Sequence, residues 1–529
     1  MATINFLIIL SILTVVINNS EISDGYRILG IFPLNGKSHF VMCEQLMKTL
    51  AKKGHHVDVI SHFPLKEPIP NYHDLSIKGS LHNVVNNITF EQFTKFGPGG
   101  FSEFIDMAGN QICKLLSHPV ISNVIKNPPK DPPYDLVIVE VFAAHCYFAL
   151  GRHLKVPMIG VSTAALYEWI REPIGNPGNQ AIIPGPFTGL NFNMNFWQRV
   201  KNTLMSHFIK HVFNYYVDKQ SKYVDEHFGP GYPDIYQLST ELDLLLVNSH
   251  FSINGIQPMT PAVVEVGGLH IEDSGRKLDP DLQQWLDESS SGCIYISFGS
   301  MVKIESFPRE TLKAFYSTFR NIAPVRVLMK IANPKELPAD LPKNVKTHSW
   351  LPQIQILKHK NVIAFVTHGG LMSTLEAIYC GVPMVGIPLF GDQIINIKSH
   401  QERRMAISLS YKNITESEFT NAIKTVLENP EYRQNVERIS KLYYDRPMSP
   451  HDTAVFWVEY IIRHRNVLHS PAINLSWYQV QLLDVYGFIL LVFILVMYLL
   501  ILIIRGLIKY IFGTKKRNNK AEFLTKKKK

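Results

Sequence analysis

Residues 365–393 read FVTHGGLMSTLEAIYCGVPMVGIPLFGDQ. The stretch divides into a strand, a glycine turn, a helix, a second strand and a loop. Phe365-Val366-Thr367 closes an apolar run that begins at Val362. Gly369-Gly370 permits a sharp turn and a close backbone approach. A helix follows over residues 373–379. A helix that starts just beyond a strand presents unpaired N–H groups and a positive dipole end, which suit a phosphate. His368 stands at the lip of the turn, Glu376 in the first turns of the helix, and Asp392-Gln393 after the next apolar strand, residues 384–387. These groups meet at one edge of a parallel sheet, where open α/β sheets bind ligands.

With Trp350-Leu351-Pro352-Gln353 upstream, the stretch resembles the donor-binding signature of the UDP-glycosyltransferases. The resemblance implies a role for each residue. Trp350 stacks on uracil, and an indole offers the flat face. Gln353 helps to hold the nucleotide. His368 and the N–H groups after Gly370 face the diphosphate, and Ser300 and Ser373 join them. The carboxylate of Glu376 accepts both ribose hydroxyls. Asp392 and Gln393 bind the sugar. Many relatives carry Asn where this chain has Met372, so backbone N–H groups must carry that phosphate contact.

At 529 residues the chain exceeds one ordinary core. Its formal charge of +9 is concentrated at the end, where residues 505–529 hold ten Lys or Arg against one Glu. The body is therefore balanced, which argues against nucleic-acid binding on a broad basic face. Residues 6–17 form an apolar run of leader length, so 1–23 is expected to be a signal peptide, cleaved between Ser20 and Gly25. Residues 485–504 carry no charge and are long enough to cross a bilayer as a helix. The basic tail beyond places residues 505–529 in the cytosol and the body in the lumen. The terminal lysines 526–529 resemble a dilysine retrieval signal of the endoplasmic reticulum membrane. Sequons at Asn87, Asn413 and Asn474 fit a luminal glycoprotein. The five cysteines show no close pairing, so neither a disulfide scaffold nor a zinc site is expected; Cys146, Cys293 and Cys380 read as small core residues.

Strands alternate with helices in both halves, which predicts two doubly wound parallel sheets. In the first half, strands are predicted at 26–32, 57–60, 136–139, 158–161 and 244–247. Helices are predicted at 40–51 and 143–154. Residues 162–236 read as long loops and irregular helices forming an apolar wall for a lipophilic molecule. Residues 266–284 read as a linker, in which Asp279-Pro280-Asp281 is turn and helix-cap chemistry and not a metal motif. In the second half, strands are predicted at 294–298, 325–331, 345–347, 362–367 and 384–387. The expected division is 24–270 for an acceptor-binding domain, 271–465 for a UDP-sugar-binding domain and 485–504 for the membrane helix. The resemblance implies the same α/β architecture: two facing Rossmann-like domains of the GT-B type plus one C-terminal transmembrane helix.

Transfer to a hydroxyl needs a base near neutral pH, which histidine supplies. His39, in Gly36-Lys37-Ser38-His39, follows the first strand, and the family uses a histidine there. The family pairs it with an Asp after a strand; Glu140 occupies that place here, one methylene longer, with His145 as a substitute. The expected chemistry is a single inverting displacement on a UDP-sugar, with no cofactor and no metal. An insect-like context favours UDP-glucose, while vertebrate relatives with the same Asp-Gln pair use UDP-glucuronate. The partners implied are a UDP-sugar, a small lipophilic acceptor and the membrane; self-association into a homo-oligomer stays open. A non-catalytic lipophile-binding protein and an adhesion glycoprotein are the competing classes.

Overall fold

Two parallel sheets organise the chain, in a computed structural model that describes residues 25–94, 101–185, 187–272, 275 and 277–527. The expected signal peptide lies outside the described residues, as do Lys528 and Lys529. The first sheet contains β1 (Arg27–Phe32), β2 (His56–Ser61), β3 (Tyr72–Ser76), β4 (Leu136–Glu140), β5 (Met158–Ser162), β6 (Leu244–Val247) and β7 (Val263–Glu265). Its order is β3-β2-β1-β4-β5-β6-β7. The second contains β8 (Cys293–Ser297), β9 (Arg326–Lys330), β10 (Val345–His348), β11 (Val362–Thr367), β12 (Met384–Gly386) and β13 (Ala406–Ser408). Its order is β10-β9-β8-β11-β12-β13.

The central strands are apolar on both faces because helices cover both. Leu29, Ile31, Val137 and Val139 enter one core of the first sheet. Ile28, Phe32, Leu136 and Ile138 enter the other. Strand order reverses between β1 and β4, and again between β8 and β11. Chains leaving neighbouring strands at such a point diverge and open a crevice. His39 follows β1 and Glu140 ends β4; Ser300 follows β8 and His368 follows β11. The topology thus puts one pair of the expected site residues at each reversal.

Helix Lys37–Lys52 begins three residues earlier than its apolar pattern predicts, so His39 sits in its first turn. Its stripe Phe40, Cys43, Leu46, Met47 and Leu50 is fully buried and has the 3–4 spacing of a core-facing helix.

Two segments cross between the halves. Helix Pro450–Arg463, grouped by sequence with the second domain, packs Ala454, Val455, Val458 and Ile461 into the core of Phe40 and Leu46. In the other direction, Phe93 is buried in the core around the second sheet, against Phe307 and Tyr411. Main-chain bonds from Asn86 and Asn87 to Ser300 and Met301 lead it there.

Two expectations are corrected. Residues 162–236 are not mainly loop: helix Phe196–Asp218 runs for 23 residues from a capping box of Asn195 and Gln198. Its buried face includes Asn202 and Ser206 beside Ile209, Phe213 and Val217, which blurs the apolar period. The second correction is a disulfide between Cys113 and Cys146, 33 residues apart. Folding brings two helical turns together there, and linear spacing carries no sign of it. Cys146 is thus a bridge partner, whereas Cys293 is a buried thiol as expected. Asp279 caps helix Pro280–Asp287 by accepting from Asp281 N, as its sequence suggests.

Residues Pro471–Lys529 form a separate unit. Helix Leu483–Lys526 has 44 residues, and its apolar part, Leu483–Asn519, is long and apolar enough to cross a membrane. At 1.5 Å per residue the whole helix is about 66 Å long, roughly twice a hydrocarbon core. The expected span 485–504 lies within it.

Candidate active site

The first wall of the site is built on β1, β4 and β5. His39 Nδ1 lies 2.7 Å from Glu140 Oε1. Thr163, directly after β5, places Oγ1 2.7 Å from His39 Nδ1 and donates to Glu140 Oε1 at 2.9 Å. The three polar groups close a triangle at the carboxyl ends of neighbouring strands. The extra methylene of Glu140 therefore still delivers a carboxylate to the imidazole. Phe142 meets the His39 ring edge-on at 4.6 Å. Burial opposes protonation of His39, but the charge and hydrogen bond of Glu140, with a weaker field from Asp392, raise its pKa above the usual 6.5. Its side chain keeps 23% exposure, enough to meet a substrate. Glu140 is almost fully enclosed at 4%.

Thr163 escaped the sequence reading, although the rule that found Glu140 applies to it: it is the first residue beyond a strand on the ligand-facing edge. His145 is not a substitute for Glu140. It is buried between Phe148 and Phe213, and desolvation lowers its pKa to about 3. Leu34, Ala108, Ile112, Phe142 and Tyr147 line a small cavity that reaches Glu140. This apolar lining comes from the segments after β1 and β4 and from the helical turns of residues 106–113, while Trp169 of the predicted apolar wall stacks on Tyr167 and Phe213 in the core.

The second wall is built on β8, β9 and β11. The His368 ring lies between two glycines: a Cβ on Gly299 or Gly370 would approach it to 2.8 or 2.7 Å. A side chain at either place would displace the His368 ring, and Gly299 also has φ +76°. Burial, with Lys330 nearby, lowers the His368 pKa to about 3, so the ring is neutral and can donate one N–H without bringing charge. Helix Leu371–Tyr379 starts at Gly370 with no side-chain cap, leaving its first N–H groups pointing to the same edge. Ser300 Oγ is buried there without a hydrogen-bond partner.

Glu376 lies one turn further along that helix. Gln353 Nε2 donates to Glu376 Oε2 and to Ser373 Oγ, and Tyr295 OH donates to Gln353 Oε1. Desolvation raises the Glu376 pKa to about 7. Trp350 is 54% exposed, so its ring face is accessible. Lys330 Nζ lies 5.1 Å from the centre of that ring and donates to Gly299 O and Asn86 Oδ1. Sequence reading passed over Lys330; its signal was a lone cation ending an apolar strand. Asp392 accepts from Asn396 Nδ2 at 2.9 Å. Burial raises its pKa, while Asn396 and the charge of His39 offset part of that rise. Gln393 differs from its expected role in one respect: its Oε1 accepts from Leu389 N and Phe390 N. The carbonyl end shapes its own loop, and only the amide N–H groups remain for a sugar. Asn87, Asn413 and Asn474 are all exposed.

The family model described as "UDP-glucoronosyl and UDP-glucosyl transferase" matches residues 31–518. UDP-glucosyltransferase 2 of Dactylopius coccus is 35% identical over 96% of this chain and 98% of its own length. UDP-glucuronosyltransferase 2B13 of Oryctolagus cuniculus is 27% identical over 91% of this chain and 93% of its own. A Phytolacca americana UGT2 structure, complexed with UDP-2-fluoro-glucose and pterostilbene, superposes with a TM-score of 0.56 at 17% identity. It covers 83% of this chain and 100% of that one, and at this identity it supports the fold alone. With the family signature running through both walls of the cleft, the chain belongs to the UDP-glucuronosyl and UDP-glucosyl transferase family and is a UDP-glycosyltransferase.

Proposed function

We propose that the chain transfers glucose from UDP-glucose to a hydroxyl of small lipophilic acceptors, as a conjugating enzyme of the endoplasmic reticulum membrane. The observation that carries the proposal is the 2.7 Å contact between His39 Nδ1 and Glu140 on the edge that feels the charge of Asp392. With Nδ1 engaged, Nε2 is the nitrogen that takes the acceptor proton. The acceptor oxygen then forms its bond to the anomeric carbon as the bond to the UDP oxygen breaks, with inversion. Glu140 stabilises the imidazolium that results. The helix end after Gly370, Ser300 Oγ and the N–H of His368 stabilise the charge gathering on the diphosphate. Trp350, Gln353 and Glu376 hold the uridine, and Asp392 with the Gln393 amide holds the sugar. The step needs no metal. The Dactylopius coccus relative, named a glucosyltransferase, supports glucose. A glucuronate donor is the second reading, supported by the Oryctolagus cuniculus relative.

One experiment tests the proposal. Sealed microsomes containing the chain are given UDP-glucose or UDP-glucuronate with a pool of phenols, before and after permeabilisation. The expected result is a glucoside that increases on permeabilisation, and loss of the product in His39→Ala. A glucuronide as the main product overturns the donor assignment. Full activity in sealed vesicles towards an impermeant donor overturns the luminal one.

A further inference from the structure

His270 belongs to none of the groups assigned above. It ends the turn Gly267-Gly268-Leu269-His270, which leaves the first sheet after β7. That turn is firmly placed. Leu269 N donates to Val266 O and Ile271 N to Gly268 O. Arg446 Nη1 donates to Gly267 O. Gly268 has φ +93°, and a Cβ there would strike Tyr443 Oη at 2.2 Å. The turn thus delivers His270 to one spot, and that spot adjoins Glu376. The His270 side chain is 1% exposed, and its Nε2 lies 3.7 Å from Glu376 Oε1. Neither ring nitrogen makes a hydrogen bond of normal length.

Two buried ring nitrogens without a close partner cost stability, and the Met372 main chain draws on the ring's N–H as Glu376 does. Burial also lowers the His270 pKa to about 4, so the ring is neutral and carries one N–H. Its neighbour needs that N–H. A carboxylate has about four lone-pair positions, two on each oxygen. Gln353 Nε2 occupies one position on Glu376 Oε2. A donor on Oε1 would leave one position per oxygen, which is the number that a cis-diol requires.

We infer that His270 is a positioning residue for the UDP-sugar: it donates Nε2–H to Glu376 Oε1 when the nucleotide binds and fixes the carboxylate plane that receives the two ribose hydroxyls. The inference rests on the reading of Glu376 as the ribose ligand. It also makes donor binding sensitive to the covalent link between the two sheets, since His270 is part of that link.

The test is calorimetric titration of the full chain with UDP and with 2′,3′-dideoxy-UDP. The proteins are wild type, His270→Phe, His270→Gln and Glu376→Ala. Phe keeps the volume without the N–H; Gln keeps an N–H donor. Wild type should prefer UDP. Glu376→Ala should abolish the preference. His270→Phe should weaken UDP roughly three- to tenfold, the worth of one hydrogen bond, and change dideoxy-UDP less than about twofold. His270→Gln should retain most of the preference. An equal loss for both nucleotides in His270→Phe shows a merely structural role and overturns the inference. A preference retained in full by His270→Phe overturns it too. A preference that survives Glu376→Ala refutes the ribose reading itself, so the two failures are distinguishable.

Discussion

Replacing Glu140 by Gln removes one charge and almost no volume, so it isolates the carboxylate's contribution to the base. The group is 4% exposed, and solvent screening of its pair with His39 is slight. A hydrogen bond to a charged partner contributes about 1.5–3 kcal/mol, and a charge pair near 4 Å in a medium of effective dielectric 20 contributes about 4 kcal/mol. Both terms grow as His39 becomes an imidazolium, so most of the loss appears in the transition state. Each ~1.4 kcal/mol is a factor of ten, which places the loss in kcat between about 10 and 10³. A second effect adds to it. The Gln amide can turn its NH2 towards Nδ1 and hold the ring in the wrong tautomer; in a Ser–His–Asp triad the equivalent change costs about 10⁴. The expected loss in kcat is therefore about 10²–10⁴, with KM for UDP-glucose within about twofold because Glu140 does not touch the donor. The pH profile gives an independent sign. Glu140 is the main reason that the His39 pKa stands above 6.5. The base must be neutral, so activity in wild type falls as pH drops through that raised value. In Glu140→Gln the acid limb should move to lower pH. Steady-state kinetics from pH 5 to 9 on a variant of unchanged Tm reads both effects. A kcat within threefold of wild type, or an acid limb that stays in place, refutes the pairing.

Thr163→Val removes the hydroxyl that bridges His39 and Glu140 and keeps the shape. It should lower kcat roughly five- to thirtyfold with little effect on UDP affinity; an unchanged kcat makes Thr163 packing alone. UDP-glucose affinity should weaken as pH falls through about 7, because Glu376 takes up its proton there and can then accept fewer hydroxyl bonds. His270, Tyr295 and Tyr443 are the titratable groups around it; burial lowers the His270 pKa to about 4 and pushes both phenols above their usual value, so none titrates near pH 7. Glu376→Gln should flatten this dependence in calorimetry; an identical slope in the variant assigns the proton elsewhere.

Glu140 and His368 were legible for one reason: each lies at the carboxyl end of a long apolar strand, with a change from apolar to polar to mark it. Thr163 lies at an equivalent point but carries a side chain common in turns, so only the approach of His39 reveals it. Strand β3 (YHDLS) is an edge strand with polar residues, and β7 and β13 have three residues each, too few to show a period. The long helix Phe196–Asp218 was concealed from both sides. Asn202 and Ser206 face inward, and Trp197, Leu204 and Phe208 face outward. A moment-based reading sees neither a buried stripe nor a polar face in such a segment. The disulfide, Lys330 and His270 share a different difficulty. Each acquires its meaning from a partner 20 or more residues away, and linear spacing is silent about such pairs.

The two crossing segments bear on how the cleft is registered. A hinge between two independent domains would let the base and the donor site move freely apart. Here, Phe93 from the first half is buried in the core of the second, and the helix of Ala454 and Val458 is buried in the core of the first. The Phe93 segment also enters the donor wall directly. Asn86 accepts from Lys330 Nζ, and Lys330 in turn lies over the Trp350 ring. Asn86 N and Asn87 N bond to the main chain at Ser300 and Met301. Displacing the first half as a rigid body would thus pull on the residues expected to face the nucleobase and the diphosphate, and would break several hydrogen bonds. Such a motion is far more expensive than the rotation of a few loop dihedrals. The field of Asp392 at His39 is the electrostatic sign of this register. The carboxylate expected to hold the sugar and the imidazole expected to take the acceptor proton lie within each other's electrostatic influence.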